Sequence, residues 1–107
     1  MKALSVKAVH ADEIHAGRKR VENRAWGRNV RGPVALHRCG AGGAIIGVMW
    51  IADVIPAAET LRRYPDQGPY IIGPLCWVIA DYRPLPSPVP CKGWLHLWES
   101  PPLGPLA

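Results

Sequence analysis

Between Ala44 and Val54 the chain runs Ala-Ile-Ile-Gly-Val-Met-Trp-Ile-Ala-Asp-Val, apolar on both faces of any extended segment and rich in β-branched residues. A strand of that kind needs cover on both sides, so it belongs at the centre of a sheet or barrel. The longest apolar run, Gly43 to Ala52, is about half of the ~20 residues that cross a membrane as a helix. The rest of the fold has to be arranged around this strand. With 107 residues there is room for one core, and 12 prolines and 11 glycines cut the remainder into short elements.

Those elements read in order. Leu4 to Val9 has strand composition, and Ala11 to Ala16 suits a helical turn too short to stand alone, with Gly17 as the left-handed residue that ends it. An extended segment follows from about Arg20 to Trp26, then turns at Gly27 and Arg31-Gly32-Pro33, then a strand from Val34 to His37. Pro56 to Arg63 fits a short helix with proline in its first turn, and Leu75 to Tyr82 is a further buried strand. From Arg83 to Cys91 proline occupies every second position, which reads as an exposed extended connector or edge rather than a ligand for a proline-recognising domain. Trp94 to Glu99 closes the fold. The expected architecture is α+β but mainly β: a small, partly open β-barrel of five or six strands with one or two short helices at its rim. Residues 1–99 form the single domain, and residues 100–107 a flexible tail.

Charge is concentrated in one place. From Gly17 to Arg38 there are seven basic residues against the single acid Glu22, while the remainder of the chain carries a slight acidic excess. The whole net charge of +5 therefore lies in one short stretch, which points to an anionic partner, nucleic acid first. If the ligand is a polynucleotide, Arg18, Arg20, Arg28 and Arg31 hold its backbone. Trp26, inside the basic segment, is the best-placed of five tryptophans to stack on an unpaired base. On an extended chain Arg20, Glu22, Arg24 and Trp26 share a face. Glu22 then either forms a structural ion pair or presents Arg24 to a phosphate or base edge. Lys19 reaches the same cleft only if it sits in the turn after Gly17, before the strand begins.

Cys39, Cys76 and Cys91 are odd in number and widely spaced, which gives no disulfide framework and points to a reducing, cytoplasmic setting. The N-terminus has no signal-peptide core. No cofactor or metal and no membrane contact is expected, and protein partners are unspecified. No serine or cysteine is spaced against a histidine in a recognisable hydrolase motif, and His37, on an apolar strand, reads as a core or rim residue.

The pattern Gly17-x-Lys19-x-x-Glu22-x-Arg24 resembles the signature of the ASCH domain, a β-barrel module related to the PUA fold. The blocks Ala3–Lys7, Arg31–His37, Gly43–Val48, Trp77–Asp81, Pro88–Gly93 and Leu97–Glu99 follow in family-like order. The resemblance implies a cleft beside the first helix, lined by Lys19, Glu22 and Arg24, that takes RNA or a nucleotide-like ligand. It also implies an alternative, a small hydrolase of N4-acetylcytidine or a ribonuclease, with Lys19 and Glu22 as the reactive pair. The amidohydrolase group of the family uses the motif lysine, a threonine three residues later and a separate glutamate. Here Glu22 stands at the threonine position. Val9-His10-Ala11 stands where the family often has Pro-Trp, so the pocket differs at that edge.

Overall fold

The computed structural model describes residues 1–106. The elements follow in the order β1 (Lys2–Lys7), α1 (Ala8–His15), β2 (Val21–Arg24), β3 (Gly32–Cys39), β4 (Ala44–Pro56), α2 (Ala57–Arg63), a 3-10 helix (Pro65–Tyr70), β5 (Leu75–Pro90) and β6 (Leu97–Glu99). The apolar segment is β4, and it lies inside a six-stranded sheet of order β2-β5-β4-β3-β1-β6. Only β1 and β3 run parallel; the other neighbours are antiparallel. Strands β2 and β6 remain as edges, so the barrel stays open, as expected.

Both faces of the central strand are covered, which is why it tolerates no polar alternation. Met49, Ile51 and Val54 join Leu4, Val6, Leu36, Trp77 and Ile79 in the main core, and α1 closes that layer with Ala11 and Ile14. Ile45 packs into a second cluster with Ala3, Ala35 and Leu85, against which Trp98, Leu103 and Leu106 also lie. Leu103 and Leu106 belong to the segment expected as a tail, whose last residue, Ala107, lies outside the described residues. No helix among the described residues is long and apolar enough to cross a membrane.

Several elements differ from the sequence expectation. The first helix begins at Ala8, where the strand was expected to continue to Val9. Packing of Ala11 and Ile14 supplies what eight residues of helix propensity cannot. The second helix begins one residue after Pro56, whose ψ of 151° is extended. Strand β5 does not stop at Tyr82 but continues through the proline run to Pro90, with Pro84, Val89 and Pro90 opposite Gly47, Ile45 and Ala44 of β4. Proline at every second position places all the missing N–H groups on one side of the strand. That side is free, because β2 pairs only with Leu75–Val78. The edge reading therefore holds and the connector reading does not. The expected closing strand from Trp94 shrinks to Leu97–Glu99, because His96 takes a left-handed φ of 57° and breaks the extension.

Candidate functional site

The basic segment is organised by the end of α1. Gly17 has φ 82°, its N–H donates to the Ile14 carbonyl, and the Arg18 N–H donates to the Glu13 carbonyl. This is a Schellman closure, in which a residue without a Cβ costs least. The chain then drops under the helix. Gln67, buried in the 3-10 helix, holds it there: its Oε1 accepts the Arg20 N–H at 2.7 Å and its Nε2 donates to the Arg18 carbonyl at 3.1 Å. Lys19 lies between these two clamps and points inward, in the turn before β2.

Lys19 and Glu22 therefore meet. Lys19 Nζ lies 3.4 Å from Glu22 Oε1, and the two residues are 2% and 5% exposed. Arg24, two residues along the same face of β2, donates through Nε and Nη2 to Glu22 Oε2 at 3.2 and 2.9 Å. Its Nη2 also donates to the Ser5 carbonyl on β1 at 3.0 Å. Glu22 is thus the shared anion of two cations, and Arg24 is held rigidly while its Nη1 has no hydrogen-bond partner among the described residues. The side chain is about a quarter exposed.

Arg24 forms the wall between two adjoining cavities. One, of about 460 Å³, is bounded by Lys7, His10, Lys19, Glu22, Asn23 and Ile72. The other, of about 580 Å³, is bounded by Ser5, His37, Lys92, Gly93, Trp94 and His96, and no carboxylate among the described residues lines it. Asn23 shapes the first by fixing its far side, since its Oδ1 accepts the Ile72 and Gly73 N–H groups at 2.8 Å. At the rim of the second, the Trp94 indole is 58% exposed and the Lys92 ammonium lies 4.7 Å from its ring centroid.

The other expected site residues go elsewhere. Arg18 turns back to Glu13, with Nε 2.7 Å from its carboxylate, and Arg20 pairs with Asp66. Arg31 pairs with Asp53 at 3.0 Å, and with Arg28 it borders a separate hollow near Lys2 and Leu97. Trp26 is half-buried, edge-on to Trp77 and His96 and packed against the main core. The run of positive charge is therefore divided among acids outside it, from Glu13 in α1 to Asp53 and Asp66 further along the chain. These pairs also tie the helix down: Arg38 and Arg18 hold the carboxyls of Asp12 and Glu13 below their ordinary values. At the C-terminus of α1, His15 Nδ1 lies 2.5 Å from the Tyr82 hydroxyl, and burial pushes that phenol well up.

Sequence reasoning missed Gln67, Asn23, Trp94 and the pairing of Ser5 with His37. The only signal for the last was one polar residue beside the apolar middle of each strand, Ser5 and His37, which become neighbours once β1 and β3 pair in parallel. The chain's one threonine, Thr60, is fully buried in α2, where its hydroxyl donates to the Pro56 carbonyl at 2.9 Å; no threonine lines the Lys19 cavity.

The family model of the ASCH domain matches residues 4–89. Among solved structures, the crystal structure of ASCH from Zymomonas mobilis superposes with a TM-score of 0.65 at 16% identity, covering 83% of this chain and 72% of that one. Two mutant forms of the Zymomonas mobilis protein give 0.63 and 0.64, also at 16% identity and 83% of this chain, covering 72% and 74% of theirs. Comparison with curated proteins yields no match. At such identity the structural likeness speaks for the fold, while the family match spans most of the sequence. The chain belongs to the ASCH domain family, PUA-like modules known for RNA binding.

Proposed function

We propose that this chain binds single-stranded RNA, or an RNA end, in the double cavity divided by Arg24. The observation that carries the reading is the state of that arginine: aligned by Glu22 and the Ser5 carbonyl, with one guanidinium nitrogen unpaired among the described residues and cavity on both sides. A fork held in this way recognises a phosphate or base edge at little further entropic cost. Trp94 offers an exposed face for a base, and Lys7 and Lys92 add mobile positive charge at the two rims. Lys19 and Glu22 act behind Arg24 as its support. Binding is favoured over chemistry at this pair because each oxygen of Glu22 already faces a cation, and Lys19 is enclosed. Arg18, Arg20 and Arg31 reach a phosphate only by giving up an acidic partner.

The test is the salt dependence of binding to a fluorescent single-stranded RNA. Three phosphate contacts, from Arg24, Lys7 and Lys92, give a slope of log affinity against log salt of about −2, whereas use of the whole basic run gives about −4 or steeper. A slope near −2 that drops by about 0.7 in Arg24→Gln supports the cleft. A flat curve, or a steep one that Arg24→Gln leaves unchanged, overturns it.

A further inference from the structure

The larger cavity holds a second arrangement that RNA binding does not use. His37 is 2% exposed, and its ring is anchored at 2.8 Å from Nε2 to the main-chain carbonyl of Cys91. A carbonyl only accepts, so Nε2 carries the proton and Nδ1 presents its lone pair. Facing that lone pair, at 3.2 Å, is the Ser5 hydroxyl. The Ser5 oxygen in turn accepts the Trp98 indole N–H at 3.2 Å, which leaves the hydroxyl proton directed to His37. The contact depends on glycine. A Cβ at Gly93 would lie 2.4 Å from Ser5 Oγ and 2.8 Å from His37 Nδ1, and one at Gly43 would lie 3.2 Å from the other side of the ring. Arg24 already binds the carbonyl of the same serine at 3.0 Å.

We propose that Ser5 is a nucleophile activated by His37, with the Cys91 carbonyl holding the imidazole in the required tautomer, and that its substrates are carboxylic esters bearing an anionic group. Hydroxyl, base and an orienting acceptor are the parts that nucleophilic acyl transfer needs. The anionic class follows from a cavity lined by Arg24 and Lys92 and, among the described residues, by no carboxylate. In the first step Ser5 Oγ attacks the ester carbonyl carbon while its proton passes to His37 Nδ1. The carbon–oxygen bond to the alcohol then breaks, and His37 returns the proton to the departing oxygen. In the second step a water gives its proton to His37 and attacks the acyl-serine, and the proton returns to Ser5 Oγ as the acid leaves. One ester and one water become one acid and one alcohol, with no other reactant.

The experiment uses the full chain with a fluorophosphonate probe and peptide mapping, followed by release of p-nitrophenol from p-nitrophenyl acetate and from the p-nitrophenyl half-ester of succinic acid. Expected are a single adduct on the peptide containing Ser5, faster turnover of the half-ester, loss of both signals in Ser5→Ala, and at least about a 100-fold slower reaction in His37→Gln. Cys39→Ser controls for the thiol 3.8 Å from His37 Nδ1 and should leave the adduct in place. An unlabelled wild type, an adduct elsewhere, or an undiminished rate in a folded His37→Gln protein would overturn the activity. Equal rates on the two esters would overturn the assigned class. If His37→Gln does not fold, mapping on the wild type decides alone. RNA affinity is a separate readout, so either reading can fail without the other.

Discussion

Removing Glu22 should destabilise the protein far more than removing either of its partners. The side chains of Lys19 and Glu22 are 2% and 6% exposed, and that of Arg24 is 27% exposed. In Glu22→Ala the Lys19 ammonium stays enclosed with no anion, whereas Arg24 can turn partly to water. Breaking a buried pair by removing one member costs about 3 to 5 kcal/mol. In Lys19→Met, by contrast, Glu22 keeps its two bonds from Arg24 and the methionine fills the same space, so a cost of about 1 kcal/mol or less is expected. A denaturation slope of about 1.5 kcal/mol per molar urea converts the first figure into a fall in midpoint of about 2 to 3 M, and the second into less than about 1 M. Urea unfolding followed by tryptophan fluorescence measures both. Equal shifts for the two variants, or a fall of less than about 0.5 M for Glu22→Ala, would refute the placement of the carboxylate as the buried hub.

Gln67→Ala strips partners from the Arg18 carbonyl and the Arg20 N–H, a loss of about 2 kcal/mol, and hydrogen exchange should show the Arg20 amide losing its protection. Trp94→Ala should leave the urea midpoint within about 0.5 M of wild type while weakening single-stranded RNA binding by about 5- to 100-fold, the scale of one stacked base. Because the folded-state values for Asp12 and Glu13 lie below the ordinary 3.8 and 4.5, their stabilisation is complete above those values and is lost as acid protonates them. Thermal melts should therefore be flat from neutral pH to about 5 and fall below about 4, less steeply in Asp12→Asn/Glu13→Gln.

The sequence made the sheet legible where burial was one-sided or total. The double-faced apolar run could only be central, and Gly17 could only end a helix. Lys19 could join Glu22 only from the turn, and the structure puts it there. What stayed hidden depends on long-range pairing. The proline run left connector and edge strand both open because nothing local reveals that the neighbouring strand ends at Val78. The cationic run looked like a single patch because its acids, Glu13, Asp53 and Asp66, come from three other elements. Trp26 looked like a platform by its charged neighbours, yet its ring meets Trp77 across the β2–β5 junction. Trp94, outside the charged segment, is the aromatic left in solvent.

The proposed place of RNA binding is the double cavity about Arg24. Titration of the 15N-labelled protein with a short single-stranded RNA, followed by amide and arginine side-chain NMR shifts, locates the contact directly. Binding there changes shifts at Ser5, from Lys19 to Arg24 and from Lys92 to His96, with the Arg24 guanidinium among the largest. Changes confined to the Arg28 and Arg31 hollow, or none at concentrations where binding is seen, would contradict it.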